Sequence, residues 1–133
     1  MTVEESVNAD RDRIFQVLTV AEYIDAWFSA PGSAAGSTEI TAGPDCFLVK
    51  YLLLNGLEER FVGSYKIVRR SKIYFTWSRD GFGNPSSSLV KIRLVGDFGR
   101  TTVHLMHLGL PRSEQSHYKL LWEASLRRLA SLF

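Results

Sequence analysis

The sequence predicts an α+β fold in which a curved antiparallel β-sheet wraps around a long C-terminal helix, with two short helices after the first strand. Two observations predict it. Between residues 37 and 108, short runs of alternating apolar and polar residues are separated by turn-forming residues, which is typical of consecutive antiparallel strands. After Pro111 the apolar residues recur at helical spacing, and their stripe needs a partner as large as a sheet.

The first 28 residues predict one strand and two short helices. Residues 2–7 alternate valine with polar residues, as a half-buried strand does. Asp10 stands where the N-cap of the first helix is expected. Thr19 and Glu22 fit a capping box for the second helix, because their side chains can satisfy two free backbone amides reciprocally.

Six further strands are predicted before the C-terminal helix, at residues 37–42, 46–54, 57–68, 72–78, 87–95 and 101–108. The segments between them are rich in glycine, proline, asparagine and serine, which favour turns and loops. The basic run at residues 69–72 lies between two strands, so we interpret it as a solvated hairpin turn rather than a phosphate contact.

The turn at residues 54–56 decides which side chains of two adjacent strands point inward. A two-residue Asn-Gly turn would place Lys50 and Phe61 on the same face. A three-residue turn with its glycine in the left-handed conformation pairs Leu53 with Leu57 and collects the charged residues on the opposite face. We prefer the three-residue turn, since it separates polar from apolar side chains better.

The C-terminal helix is predicted to begin after Pro111, with Ser113 as its cap. Its apolar stripe is expected to lie against the sheet. The stripe contains Tyr118, Leu121, Trp122, Ser125, Leu126, Leu129 and Leu132.

Composition excludes several classes of protein. A chain of 133 residues suits a single domain, 1–133, and a net charge of +2 is too weak for a nucleic-acid-binding protein. No apolar run reaches the 18 residues or so that an integral membrane segment needs. The N-terminal residues lack the basic start and apolar core of a secretion signal, and the lone Cys46 excludes an internal disulfide. We therefore expect a cytoplasmic protein.

The stretch 101–111, TTVHLMHLGLP, contains two histidines in an apolar strand. Alternation directs His107 inward and His104 outward, so the two imidazoles cannot share a metal. The chain has only three histidines and one cysteine, and their spacing does not fit a zinc site, so we expect neither a metal nor a cofactor. His107 is either a core residue with a backbone hydrogen bond, or a polar contact or proton donor for a ligand.

Glu59 is the second inward polar residue if the three-residue turn is correct. A buried carboxylate without a partner is costly, which makes it a candidate site residue. The alternatives are a carboxylate that reaches water at the strand edge, or one that pairs with Arg60 or Arg93.

Several segments stand in a recognisable order along nearly the whole chain. They are residues 9–18, 19–28, Gly63, 72–78 and 101–111, followed by the spacing of His117, Trp122, Leu126 and Leu129. This order resembles the START-like or SRPBCC superfamily, whose fold is the helix grip. Within it the chain is most similar to the homologues of the activator of heat-shock-protein ATPase.

The resemblance implies a deep, mostly apolar cavity between the sheet and the long helix. Members of the superfamily bind lipids, sterols, polyketides or plant hormones; some are cyclases or dehydratases, and some are partners of chaperones. The candidate ligand-binding residues combine the inward polar residues with aromatic side chains: His107, Glu59, Tyr51, Tyr65, Phe61, Trp77, Trp27 and Trp122.

Three functions follow as hypotheses. The first is binding of an apolar or amphipathic small molecule, with segments 28–37 and 80–88 as candidate gates. The second is a cyclase-like or dehydratase-like enzyme that uses the inward His107 and Glu59. The third is a protein-interaction module with a chaperone as candidate partner, which a filled interior would favour. The strand at 37–42 is a candidate edge for a homodimer.

Overall fold

A computed structural model describes residues 1–34, 37–79, 87–97 and 99–133. In chain order its elements are β1 (Thr2–Val7), α1 (Arg11–Thr19), α2 (Ala21–Trp27), β2 (Glu39–Ala42), β3 (Cys46–Leu52), β4 (Glu58–Arg69), β5 (Lys72–Arg79), β6 (Ser88–Asp97), β7 (Arg100–Leu108) and α3 (Arg112–Ser131). The predicted loop segment 80–86 lies outside the described residues, as do 35–36.

The strands form one antiparallel sheet in the order β1-β7-β6-β5-β4-β3-β2. Alternate residues of β7 are buried, namely Thr101, Val103, Leu105 and His107, and they join the buried face of α3 in the interior. The predicted α+β fold, with a curved antiparallel sheet around a long C-terminal helix, is confirmed. It arises because neither the apolar face of the sheet nor the apolar stripe of α3 can be buried alone.

The β3–β4 hairpin has the predicted three-residue turn. Tyr51 lies opposite Glu59, and the Leu53 amide donates to the Leu57 carbonyl at 2.8 Å. Gly56 has a φ of 87°, the left-handed conformation that this turn needs at its last residue. The inward position of Glu59 therefore follows from turn chemistry.

The ladder between β4 and β5 is irregular around Gly63. The next amide, that of Ser64, donates to the Thr76 hydroxyl at 2.9 Å rather than to a backbone carbonyl, and a register shift follows after Tyr65. At Gly63 itself, the Phe47 ring and the Thr76 carbonyl occupy the space where a Cβ would stand. A glycine is therefore required by close packing at this position.

Two helix starts differ from the prediction. Thr19 is not an N-cap: it ends α1, and its hydroxyl donates to the Phe15 carbonyl at 2.7 Å. Val20 occupies the N-cap position of α2 and has no capping side chain, so Thr19 and Glu22 form no capping box. Asp10 holds the predicted N-cap position of α1, although its side chain makes no capping bond.

The start of α3 is also earlier than predicted. The helix begins at Arg112, and Pro111 rather than Ser113 holds the N-cap position. Proline suits this place because its fixed φ leads the chain into a helix. The predicted stripe is buried from Tyr118 to Leu129, whereas Leu132 is 45% exposed because the helix has ended.

None of the helices in the described part of the chain has the length and apolar character that crossing a membrane requires. The predicted strand at 37–42 is shorter than expected, since pairing begins at Glu39. Ser37 instead uses its hydroxyl to contact the backbone of Leu52.

Candidate functional site: an aromatic cavity and a neighbouring polar cluster

The inner face of the sheet, α2 and α3 surround a cavity of about 30 Å³. All three tryptophans of the chain line it, one each from α2, β5 and α3. The resemblance implied a deep cavity, but the packed side chains leave much less space. The lining is apolar and aromatic: Leu18, Ile24, Trp27, Phe28, Phe47, Val49, Tyr65, Ile73, Phe75, Trp77, Ile92 and Trp122.

Phe28, directly after α2, fills much of the space between the helices and the sheet. It is 2% exposed, and its ring centroid lies 6.1–6.3 Å from those of Trp27, Tyr51, Trp77 and Trp122. This ring is therefore the side chain whose displacement would enlarge the cavity most directly.

The backbone beside Phe28 is held by α3. The Ser125 hydroxyl accepts from the Ser29 amide at 2.9 Å and donates to the Ser29 carbonyl at 3.1 Å. Arg128 donates to the Phe28 carbonyl at 3.2 Å. Ser125 is fully buried, so α3 holds this segment through bonds that water does not weaken.

His107 is 2% exposed, and both of its ring nitrogens are engaged. The Trp122 indole N–H donates to Nδ1 at 2.9 Å, and Nε2 lies 2.7 Å from the Ser88 hydroxyl. Because an indole N–H can only donate, Nδ1 must accept, and the neutral ring carries its proton on Nε2. Nε2–H therefore donates to Ser88, whose hydroxyl donates in turn to the Trp77 carbonyl at 2.9 Å.

This direction of hydrogen bonding matters for chemistry. Ser88 beside His107 has the composition of a nucleophile and its base, yet Nε2 already holds a proton and cannot take another from Ser88. Burial, with a smaller effect of the positive N-terminus, lowers the pKa of His107 to about 4. His107 therefore belongs to a closed chain of hydrogen bonds in the core, and it is not among the residues that line the cavity.

A second group of side chains, which we name the Phe61 cluster, surrounds the ring of Phe61 on the inner face. Its members are Tyr51, Phe61, Trp77, Arg79 and Tyr118. The ring centroids of Trp77, Tyr51 and Tyr118 lie 4.8, 6.0 and 6.3 Å from that of Phe61. The Arg79 guanidinium stands 5.7 Å from the same centroid.

The polar atoms of the Phe61 cluster are incompletely paired. Glu59 forms an ion pair with Arg79 of the neighbouring strand β5, at 3.3 Å. The partner of Glu59 is therefore Arg79 rather than Arg60 or Arg93, the two alternatives that the sequence offered. The buried indole N–H of Trp77 has no hydrogen bond of good geometry to any described residue, although it lies close enough to the Tyr118 hydroxyl to act against the rise of the Tyr118 pKa. Burial dominates, and it raises the pKa of both Tyr51 and Tyr118.

The structure thus divides the predicted site residues. Trp27, Tyr65, Trp77 and Trp122 line the cavity, whereas Glu59, Tyr51 and Phe61 lie in or beside the Phe61 cluster. Trp77 belongs to both, and His107 lines neither.

Sequence reasoning missed three residues of this region. The sequence pattern assigns Phe28 only to the region of the second short helix and Tyr118 to the apolar stripe of the C-terminal helix, and it distinguishes neither from ordinary core. Nothing in the sequence pattern identified Arg79, because its role depends on the exact pairing of β4 with β5.

The outer face of β5 and β6 carries a basic surface, formed by Arg69, Lys72, Lys91 and Arg93 around Tyr74. Lys72 lies opposite Arg69 on one neighbouring strand and Arg93 on the other. None of the four cations forms an ion pair with a described residue. Arg93 donates to the Tyr74 hydroxyl at 3.1 Å, which with the nearby cations lowers the pKa of Tyr74.

A family model described as activator of Hsp90 ATPase homolog 1-like protein, AHSA1, matches residues 8–133. The chain belongs to the AHSA1 family. This match confirms the predicted family. Separately, the described residues contain no group of three or more His, Cys, Asp or Glu side chains placed to bind a metal.

Solved structures share this AHSA1 fold. A protein from Chromobacterium violaceum is 17% identical with a TM-score of 0.84, and the alignment covers 99% of this chain and 95% of that one. The AHSA1 protein from Silicibacter pomeroyi is 18% identical with a TM-score of 0.78, again over 99% and 95%. Among curated proteins, none matches the chain.

DynU16, a protein in the dynemicin biosynthetic locus, is 25% identical with a TM-score of 0.67. The alignment covers 98% of this chain but only 45% of DynU16, so this chain corresponds to less than half of that protein.

Proposed function

We propose that the chain binds a small apolar or amphipathic molecule between the sheet and α3. The observation that carries this proposal is the lining of the cavity, which is almost wholly apolar and aromatic and includes every tryptophan of the chain. Ligand pockets in proteins have this composition, with a few placed polar groups. The similarity to DynU16, a protein in a biosynthetic locus, supports a small-molecule ligand.

The volume of the cavity limits how a ligand is accommodated. A space of about 30 Å³ is far below the roughly 300–1,000 Å³ of a typical ligand pocket. A ligand must therefore displace a side chain. We expect it to displace the ring of Phe28, because this ring packs against four other rings that an aromatic or alkyl ligand would contact equally well.

Bromobenzene tests the proposal directly. It is small and apolar, and its bromine quenches tryptophan fluorescence at close range. We expect saturable quenching of the full chain, because all three tryptophans line the cavity. N-acetyltryptophanamide gives the collisional background. Quenching of the protein that stays linear in bromobenzene, like that of the free indole, would contradict binding in the cavity.

Phe28→Ala and Phe133→Ala make a matched pair for the same measurement. Phe133 is only partly buried and does not line the cavity. We expect Phe28→Ala to bind bromobenzene at least about tenfold more tightly, because the apolar space that it opens is filled by the ligand. Phe133→Ala should bind like the wild type. Equal affinity in all three proteins would place the binding elsewhere.

Native mass spectrometry of the freshly purified chain, followed by organic extraction, identifies the natural ligand. An apolar extra mass that is lost on denaturation supports a container. A bare chain together with linear quenching favours the second candidate, a protein-interaction module, which the small interior also favours. The enclosed position of His107, which donates to Ser88, does not favour the enzyme hypothesis as a second candidate.

A further inference from the structure

The Phe61 cluster contains a buried hydrogen-bond donor without a partner among the described residues. The Trp77 indole N–H can only donate, and it is buried without a partner among the described residues. The hydroxyls of Tyr51 and Tyr118 can each donate as well as accept a hydrogen bond, and the Tyr118 hydroxyl lies beside the Trp77 N–H. These three groups are called the donor groups below.

The donor groups are in the form that donates. Burial raises the pKa of Tyr51 and of Tyr118, so both phenols keep their protons at neutral pH and well above it. Glu59, a carboxylate beside the cluster, is already paired with Arg79 at 3.3 Å. Within the described residues, the Trp77 N–H lacks a well-placed oxygen that accepts from it.

An unpaired donor inside a protein is unusual and costs stability unless something accepts from it. Trp77 is 3% exposed, so bulk water does not reach its N–H freely. The same ring lines the aromatic cavity, so Trp77 lies between the apolar cavity and the donor groups of the Phe61 cluster.

We propose that the donor groups bind an acceptor oxygen of the ligand, a ketone or carboxylate, while its apolar part occupies the cavity. The inference rests on the proposed function, and it specifies the class of ligand as an apolar body with an oxygen acceptor at one end. The Glu59–Arg79 pair brings no net charge, so the cluster selects hydrogen-bond acceptance rather than negative charge.

Three probes of similar shape separate these properties. Propylbenzene has no acceptor, 4-phenylbutan-2-one has a neutral one, and 3-phenylpropanoate has a charged one. The full chain, labelled with ¹⁵N, gives three indole N–H signals, which differ in their partners: Trp27 donates to the Val17 carbonyl at 3.1 Å, Trp122 donates to His107, and Trp77 donates to nothing described. Trp27→Phe and Trp77→Phe variants assign the signals.

We expect the ketone and the carboxylate to bind at least about tenfold more tightly than propylbenzene, which corresponds to one or two net hydrogen bonds. Both should move the Trp77 indole proton downfield, and propylbenzene should not. Equal affinity for all three probes, or a Trp77 signal that ignores the acceptor, overturns the inference and leaves cavity binding intact. If no probe changes the spectrum, the proposed function fails and the inference falls with it.

Tyr118→Phe removes one donor and keeps the ring. We expect it to weaken binding of 4-phenylbutan-2-one by about tenfold and to leave propylbenzene within twofold of the wild type. Tyr23→Phe is the matched control, because Tyr23 is 43% exposed on α2 and lies outside both the cavity lining and the cluster. Equal losses for both probes would indicate a packing defect and contradict the donor role.

Discussion

His107 shows how sequence pattern can place a single side chain correctly and still leave its role open. Strand alternation predicts that it points inward, and it does. Its partners Ser88 and Trp122 are 19 and 15 residues away along the chain, on β6 and α3. Only the packed structure shows that these two side chains hold the imidazole neutral, and that Ser88 continues the hydrogen bonds to the Trp77 carbonyl on β5.

The buried neutral state of His107 predicts a pH dependence. The folded protein lowers the pKa of His107 from 6.5 to about 4, so the unfolded chain binds this proton more readily. The contribution of His107 to stability is therefore complete above pH 6.5 and is lost as the pH falls from 6.5 towards 4. The loss amounts to about 3 kcal/mol.

Urea unfolding of the wild type and of His107→Asn between pH 7.5 and pH 4 checks this expectation. The variant should be less stable at pH 7.5 and should lose much less stability on acidification. His104→Gln is the control, because His104 lies on the outer face beside Glu4. Parallel pH profiles for His107→Asn and the wild type would show that another group causes the acid sensitivity.

Gly63 gives a prediction about packing. In Gly63→Ala the new methyl group would meet the Phe47 ring and the Thr76 carbonyl well inside contact distance. Since the carbonyl is backbone and cannot rotate away, we expect destabilisation of about 1–3 kcal/mol or more in urea unfolding. Gly43→Ala is the matched control, because its methyl group would lie at an ordinary contact distance of 3.8 Å from the Cys46 carbonyl oxygen. Similar losses in both variants would contradict the steric explanation.

Among the elements, the strands follow sequence pattern closely and the helix termini do not. The β3–β4 register was predictable, because each alternative turn sorts the side chains of two strands differently. The cap of α2 was not, since the sequence does not show that α1 continues through Thr19 and uses its hydroxyl on the Phe15 carbonyl. Local hydrogen bonds of this kind compete at similar energies, so pattern alone does not rank them.

The outer face of β5 gives a prediction at this scale. Like charges directly opposite one another destabilise a sheet, and Lys72 faces both Arg69 and Arg93. Lys72→Glu places a carboxylate between two guanidinium groups. We expect it to stabilise the protein by about 0.2–1 kcal/mol per pair at low salt.

The salt dependence of this variant provides the control. At 1 M NaCl the screening length is about 3 Å, so most of the gain should disappear. Lys72→Gln removes the repulsion without adding attraction and should fall between the other two proteins at low salt. A Lys72→Glu variant no more stable than the wild type, or a gain that salt leaves unchanged, would contradict the electrostatic explanation.

For the molecule as a whole, the sequence was sufficient for the architecture and the family, because both depend on the order and periodicity of elements. It was insufficient for the candidate site. The volume of the cavity depends on how far Phe28 and α3 stand from the sheet, and the Ser125 hydroxyl that fixes this distance bonds across 96 residues. The division of the predicted residues between the cavity and the Phe61 cluster depends on the same distance.

The strand order affects the order in which the strands join the sheet during folding. β1 and β2 are successive strands in the chain, yet they lie at opposite edges of the sheet, and β1 pairs only with β7, where Val7 faces Thr101. The other strands each pair with a neighbour in sequence and can assemble as local hairpins, whereas β1 must wait for a partner near the end of the chain. Contacts between distant segments slow folding. When the chain is synthesised from its N-terminus, the first strand to emerge is therefore among the last to join the sheet.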